Sequence, residues 1–188
     1  MGRLIVMRHG KAGELPGGPD FERALRSRGR TDAAAAGRWL RAGGYVPELV
    51  LCSAARRARQ TWQYVAEGLA VEPSPVDPST VDPSTADSGT VDSGPGAPAP
   101  EVLTEEALYG ADADDLAGIL RAIPAGAGTV MYVGHNPAAA ELVAMLTGAE
   151  PDFPTAAIAV IAVPGDWADL AAGQHDLLDV WTPAAATS

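Results

Sequence analysis

Three short segments rich in consecutive apolar residues set the framework of this chain. They are Leu4–Met7, Glu48–Cys52 and Thr129–Gly134, and polar residues follow each of them at once. Apolar runs of this length are typical of strands that are buried on both faces of a parallel sheet. The longer segments between them carry apolar residues at spacings of three and four, which predicts amphipathic helices. This alternation predicts an α/β fold, a three-layer α/β/α sandwich with a mostly parallel sheet.

The predicted helices have recognisable start and stop signals. Gly43 ends the first helix after about Ala42, and Gly148 ends the last one. Short polar side chains that can cap a helix precede each apolar stripe. The predicted N-caps are Ser27 or Thr31, Ser53, Asp112 or Asp114, and Asn136 followed by Pro137.

The C-terminal part predicts two further strands. An apolar run lies at 156–163, and a second β-type segment lies at 175–181 after a turn at Gly165. The short connection between them favours an antiparallel pair. We therefore expect an antiparallel strand near the C-terminus.

One segment departs from the rest of the chain in composition. From about 71 to 100 it is dominated by Pro, Gly, Ser and Asp, and Val76–Thr80 is repeated as Val81–Thr85. Such a segment cannot bury enough apolar surface to offset the entropy lost on ordering. We predict a single domain, 1–188, that carries a low-complexity insertion at about 71–100.

Composition narrows the classes of function. The formal net charge of −11 argues against binding to nucleic acid or to an anionic membrane surface. No apolar run is long enough to span a bilayer, and the first residues lead directly into a strand, so we expect a cytoplasmic protein. The single cysteine, Cys52, excludes an intrachain disulfide and is expected to be a small buried residue. We expect a monomer.

The ends of the three buried strands carry residues that suit phosphate chemistry. They supply Arg8-His9, Ser53 with Arg57 in the following helix, and His135. The carboxyl ends of parallel strands meet at one edge of a sheet, so these side chains are expected to share a crevice. Arg57 lies in a first helical turn, where a cation opposes the helix dipole, so an anionic partner explains it better than local stability does.

Phosphoryl transfer is the chemistry that fits this set. A neutral imidazole can attack phosphorus, and planar guanidinium groups bind the phosphoryl oxygens in bidentate fashion. Positioning and charge stabilisation are most of what an enzyme contributes to this reaction. No phosphate-binding loop or pair of metal-ligating carboxylates is evident, so we predict no metal and no cofactor.

These motifs resemble those of the histidine phosphatase superfamily, whose fold is the phosphoglycerate mutase-like fold. Within it the chain is most similar to the small SixA-type phosphohistidine phosphatases, and the similarity spans nearly everything except the insertion. The segments that carry the resemblance are Leu4–Ala12, Arg23 before Leu25 and Gly29, Ser53 through Arg57 to Thr61, and Gly134–Pro137. Ala54 departs from the pattern, because the family often has proline after that serine.

The resemblance implies roles for individual residues. His9 would be the phosphorylated nucleophile, Arg8, Arg57 and His135 would form the phosphate pocket, and Arg23 would lie at its rim. The matching motifs also place Ser53, Gly10 and Asn136 at the phosphate-binding site. Leu103-Thr104-Glu105 loosely fits a pattern in which the carboxylate is the general acid. Glu105 is therefore a candidate acid, and a solvated loop carboxylate is the alternative.

The favoured hypothesis is a phosphatase that uses a phosphohistidine intermediate and acts on phosphohistidine in a protein. The partner would be that phosphorylated protein, or a small phosphorylated metabolite if the enzyme is a general phosphomonoesterase. A non-catalytic phosphate-binding or interaction module is an alternative from another class. A two-histidine metal protein is disfavoured because carboxylate or thiolate ligands are lacking at suitable spacing.

Overall fold

The computed structural model describes residues 2–70 and 99–184. Within them the strands are β1 (Gly2–Arg8), β2 (Leu49–Ser53), β3 (Glu101–Glu105), β4 (Thr129–Gly134), β5 (Ile158–Val163) and β6 (Leu177–Trp181). The α-helices are α1 (Ser27–Ala42), α2 (Arg56–Ala70), α3 (Ala107–Gly110), α4 (Ala113–Arg121) and α5 (Ala138–Thr147). Short 3-10 turns lie at Asp20–Glu22 and Trp167–Asp169.

The strands of the described residues form one six-stranded sheet in the order β3-β2-β4-β1-β5-β6. β4 pairs in parallel with β1 on one side and β2 on the other, and β2 pairs in parallel with β3. β5 runs antiparallel to β1 and to β6. The predicted mostly parallel sheet with an antiparallel strand near the C-terminus is confirmed.

The sheet lies between two layers of helices, as a three-layer sandwich requires. Along β1, Leu4 and Val6 pack into the apolar cluster that includes α4 and α5, whereas Ile5 and Met7 pack into the cluster that includes α1 and α2. This alternation follows the two-residue period of a strand that is covered on both faces. It explains why the run at 4–7 contains no polar residue.

Several predicted helix caps are wrong. Arg26 occupies the N-cap of α1 without a side-chain hydrogen bond, so neither Ser27 nor Thr31 caps that helix. Helix α2 begins at Arg56, three residues after Ser53. Pro137 stands in the cap position of α5, which leaves the Asn136 side chain for other contacts. The Asp112 prediction is confirmed, because its side chain accepts from the Asp115 N–H in a capping box.

The predicted insertion at about 71–100 falls almost wholly outside the described residues. The described residues continue from Ala99, just before β3, the edge strand beside β2. All residues of β3 are exposed. In the described part of the chain no helix combines the length and apolar character that a membrane crossing needs.

Helices α1 and α2 cross at a pair of glycines. A Cβ at Gly37 would lie 2.1 Å from the Val65 carbonyl oxygen, and a Cβ at Gly68 would lie 2.3 Å from the Ala34 carbonyl oxygen. Both neighbours are backbone atoms that cannot turn away. The close approach packs α2, which carries Arg57, tightly against α1.

Replacing Gly37 should separate these helices. We expect Gly37→Ala to lower the free energy of unfolding by about 1–3 kcal/mol, because overpacking outweighs the better helix propensity of alanine. The matched control is Gly118→Ala in α4, where a Cβ meets nothing within 4 Å. That variant should gain roughly 0.5–1 kcal/mol. Urea unfolding of both variants tests this, and equal effects of the same sign would contradict it.

Candidate active site

The ends of β1, β2 and β4 bring the two candidate histidines together. The imidazole centroids of His9 and His135 lie 5.1 Å apart with their planes tilted by 59°. His9 is fixed through its backbone, since its N–H donates to the Gly134 carbonyl and its own carbonyl accepts from the Ala156 N–H. The three-strand convergence predicted from the sequence is therefore present in the structure.

Hydrogen bonding fixes the tautomer of His9. Its Nδ1 lies 2.8 Å from the Gly10 carbonyl oxygen, which can only accept, so Nδ1 carries the proton. In a neutral ring Nε2 is then unprotonated. The Arg57 Nε–H donates to this nitrogen across 3.2 Å. The nucleophilic lone pair of His9 thus faces a guanidinium group.

Helix α2 supplies more than Arg57 to this region. The Gly10 N–H donates to the Thr61 hydroxyl at 3.0 Å, and that hydroxyl donates to the Arg57 carbonyl at 2.7 Å. The Leu25 N–H donates to the Gln60 amide oxygen at 2.8 Å. These contacts tie the chain after β1 to one face of α2, so the backbone of Gly10 serves to hold the loop.

Ser53 and His135 form a second pair. The Ser53 Oγ lies 2.8 Å from His135 Nε2, and it also accepts from the Ala55 N–H at 3.3 Å. The serine therefore orients the imidazole instead of capping α2. When the Ser53 hydroxyl donates to Nε2, the proton of the neutral ring lies on Nδ1, a buried atom with no partner among the described residues.

Arg8 and Asn136 meet at one backbone carbonyl. The Phe153 carbonyl oxygen accepts from Arg8 at 2.9 Å and from the Asn136 side-chain amide at 3.1 Å. The Arg8 Nε and the Asn136 Oδ1 are buried and have no hydrogen-bond partner among the described residues. Buried polar atoms are normally paired, so unpaired polar atoms on three neighbouring residues indicate a ligand site.

Asp20 is a central residue of the site that sequence reasoning missed. Its carbonyl accepts from Arg57 Nη1 at 2.7 Å, and its Oδ2 accepts from Arg57 Nη2 at 2.9 Å. Its Oδ1 accepts from Arg23 Nη1 at 2.7 Å, while Arg23 Nε donates to the Gly13 carbonyl. The three-residue spacing of Asp20 and Arg23 was an available signal, because a helical turn brings such residues together.

Tyr109 was also missed. Its hydroxyl donates to Asp20 Oδ2 at 2.7 Å, and its ring meets the His135 ring edge-on at 5.3 Å. The Arg57 guanidinium lies over the same ring, 5.6 Å from its centroid. No sequence motif pointed to Tyr109, which lies in α3 and reaches the site through tertiary folding.

Glu105 ends β3 opposite Ser53 in the strand register. Its carbonyl accepts from the Ala54 N–H. The residue is exposed, and among the described residues no hydrogen bond or ion pair joins its carboxylate to His9, His135 or Arg57. Its role as a general acid stays a prediction.

Burial keeps both imidazoles uncharged. The pKa of His9 is lowered to about 3, mainly by desolvation; the Gly10 hydrogen bond opposes this shift, and the nearby His135, Arg57 and Arg8 add to it. Desolvation likewise lowers the pKa of His135 to about 4, with Arg57 acting in the same direction. Both rings are therefore neutral near pH 7, which is the state that the predicted role of His9 as a nucleophile requires.

Other titratable groups complete the electrostatics. The hydrogen bonds from Arg23 and then Tyr109 hold the pKa of Asp20 well below its usual range, so it is a carboxylate. Burial raises the pKa of Cys52 to about 12, which agrees with a small buried residue and not with a reactive thiolate. Among residues 2–70 and 99–184, no cluster of three or more His, Cys, Asp or Glu side chains forms a metal site.

Comparison with known proteins agrees with this geometry. The model of the histidine phosphatase superfamily (branch 1) matches residues 4–78. An uncharacterised protein of Mycobacterium tuberculosis (strain H37Rv) is 31% identical over 188 residues, covering 94% of this chain and 99% of its own. An uncharacterised protein of Mycobacterium leprae is 31% identical over 191 residues, with the same coverage.

Solved structures show the same fold. A "Putative Phosphohistidine Phosphatase SixA" from Nakamurella multipartitia has a TM-score of 0.75 and 28% identity, over 98% of this chain and 97% of its own. The protein histidine phosphatase SixA complexed with tungstate has a TM-score of 0.66 and 25% identity, over 95% of each chain. A mycobacterial glucosyl-3-phosphoglycerate phosphatase, at 18% identity and a TM-score of 0.59, shares the fold.

The lowered imidazole pKa values predict a specific titration. In ¹⁵N-labelled protein, the ring nitrogens of His9 and His135 should keep their neutral shifts from pH 8 down to about pH 5, whereas an unperturbed imidazole titrates near ~6.5. In His9, the protonated nitrogen should be Nδ1. Assignment by His9→Asn and His135→Asn identifies the signals. A midpoint near pH 6.5 for either ring would show that burial does not control its charge.

Proposed function

This chain belongs to the histidine phosphatase superfamily and is a phosphatase, and we propose that it dephosphorylates phosphohistidine on a protein through a phosphorylated His9. In this proposal His9 is the nucleophile, and Arg8, Arg57 and His135 bind the phosphoryl group. Ser53 orients His135, Gly10 and Asn136 belong to the phosphate-binding site, and Arg23 lies at its rim. A cytoplasmic location and a monomeric state remain predictions from the sequence.

One observation carries the proposal. The unprotonated Nε2 of His9 lies 3.2 Å from the Arg57 Nε, and its other nitrogen is occupied by the Gly10 carbonyl. A phosphoryl oxygen that accepts the Arg57 N–H would bring its phosphorus towards that lone pair. This arrangement supports the proposed roles of His9 as nucleophile and Arg57 as oxyanion donor for one tetrahedral anion.

The reaction would proceed in two displacements. His9 Nε2 attacks phosphorus and forms an N–P bond, while the N–P bond of the substrate breaks and its protonated imidazole ring leaves as neutral imidazole. Water then attacks the phosphorus of phosphorylated His9, releases orthophosphate and restores the neutral ring. Arg8 and Arg57 stabilise the charge on the equatorial oxygens in both steps.

The choice of phosphohistidine as substrate rests on two supports. An imidazole leaving group needs less help from a general acid than an alkoxide does, and no carboxylate of the described residues is hydrogen-bonded to His135 or His9. The similarity to the SixA-type structures, at 28% and 25% identity, points the same way.

A general small-molecule phosphomonoesterase is the second candidate. Glu105 favours it, because this carboxylate ends β3 directly opposite Ser53 and could protonate an alkoxide leaving group. The third candidate, a non-catalytic phosphate-binding module, needs the same pocket but no turnover.

Trapping the intermediate tests the nucleophile. With a ³²P-phosphohistidine protein and alkaline quench within milliseconds, wild type should carry acid-labile, alkali-stable label, and His9→Ala should carry none. The turnover of His9→Ala should be at least about a thousandfold lower than that of the wild type. The matched control, His175→Ala, removes a histidine whose Nδ1 bonds the Ala162 carbonyl, and it should label normally. Equal labelling of His9→Ala would contradict the assignment, and a wild type without label or turnover would favour the binding module.

Leaving-group dependence separates the two enzyme hypotheses. We expect the enzyme to have a higher kcat/KM for a phosphohistidine protein than for sugar phosphates. Glu105→Gln should change the turnover of the phosphohistidine protein by less than about threefold, because an imidazole leaving group needs no general acid. Glu106→Gln, on the neighbouring exposed carboxylate, is the control. Faster turnover of sugar phosphates, with a loss specific to Glu105→Gln, would establish the phosphomonoesterase instead.

A further inference from the structure

Asp20 holds both ends of the Arg57 guanidinium. Its main-chain carbonyl binds Nη1 and its carboxylate binds Nη2, at 2.7 and 2.9 Å. The third nitrogen, Nε, is the one that donates to His9 Nε2. Since the guanidinium is planar, fixing two nitrogens fixes the direction of the third.

We propose that Asp20 is the positioning residue for Arg57, which aims the Arg57 Nε–H at His9 Nε2 and so sets where the phosphoryl oxygen binds. This inference rests on the proposed function of the site. It gives Asp20 no role as an acid, because all of its action passes through Arg57.

Asp20 is itself held from two further directions. Arg23 binds its Oδ1 and the Tyr109 hydroxyl binds its Oδ2, each at 2.7 Å. Its main chain is fixed in the 3-10 turn Asp20–Glu22, in which the Arg23 N–H donates to the Asp20 carbonyl. A group with contacts from separate elements is a rigid support for a guanidinium.

This contact serves orientation more than stability. The side chain of Asp20 is 48% exposed, whereas that of Arg57 is 8% exposed. Exposed ion pairs contribute little to the free energy of folding because water screens them. Substitution of Asp20 should therefore change the behaviour of Arg57 without unfolding the protein.

Asp20 has two opposite effects on an incoming anion: its negative charge repels the anion, and its hydrogen bonds orient Arg57 to bind it. Solvent around the half-exposed carboxylate screens its repulsion. The Arg57 hydrogen bonds lie in a buried site, where orientation counts for more. We therefore expect loss of the carboxylate to weaken anion binding, although a charge-only argument predicts tighter binding.

Asparagine separates hydrogen bonding from charge. The amide oxygen in Asp20→Asn can accept the bonds of Arg57 Nη2 and Tyr109 that the carboxylate Oδ2 accepts. Asp20→Ala keeps only the main-chain carbonyl. Glu22→Ala removes another carboxylate of the same turn, one without a side-chain hydrogen bond or ion pair to the described residues of the site, and serves as the matched control.

Two measurements that need no turnover test the proposal. NMR exchange of the Arg57 Nε–H with water should speed up at least about tenfold in Asp20→Ala, and calorimetry with inorganic phosphate should show a dissociation constant about tenfold higher. Asp20→Asn should stay within about threefold of wild type in both. Glu22→Ala should match wild type, and thermal unfolding should show that all variants are folded.

The proposal is overturned by unchanged Nε–H exchange in Asp20→Ala, by phosphate binding that is equal or tighter, or by an Asn variant that loses as much as the Ala variant. Its failure is distinct from failure of the proposed function. A wild type without phosphatase activity whose Arg57 exchange and phosphate affinity still depend on Asp20 would reject the function and retain the positioning role.

Discussion

The contact between Arg57 and His9 is the interaction on which the rest of the site depends. It places a permanent cation beside a neutral imidazole, an arrangement that is stable only because desolvation keeps that imidazole from taking up a proton. The same burial that suppresses the charge of His9 makes the Arg57 hydrogen bonds directional. Sheet packing therefore sets the chemistry, since β1 and α2 must approach closely to bury both groups.

An acidic protein can still bind an anion when cations are gathered locally. The chain carries a formal net charge of −11, yet Arg8 and Arg57 lie near the two histidines, and Asp20 joins Arg23 to Arg57. Asp20 offsets part of that charge while its hydrogen bonds hold two of the arginines. The overall charge thus disfavours unspecific anion binding, and the pocket supplies specificity through fixed donors.

Residues at strand ends were predictable from the sequence, and residues that arrive from elsewhere were not. Continuous apolar runs identified β1, β2 and β4, and parallel topology then required Arg8, His9, Ser53 and His135 to converge. Asp20 and Tyr109 come from a turn and a one-turn helix without a periodic pattern, so only tertiary structure brings them to the site. The errors at Ser53 and Asn136 share a cause, because local capping propensity was outweighed by the contacts of Ser53 with His135 and of Asn136 with Phe153.

The antiparallel direction of β5 affects which substitutions this site can accept during evolution. The connection from α5 into β5 has to return to the strand tips, and there the main-chain oxygen of Phe153 accepts from Arg8 and Asn136. Every amino acid carries that main-chain oxygen, so a substitution of Phe153 keeps this hydrogen-bond acceptor. The path of the main chain and apolar packing restrict such substitutions, and the polar contacts do not. A comparison of motifs would pass over this connection, although the side chains of both Arg8 and Asn136 donate to it.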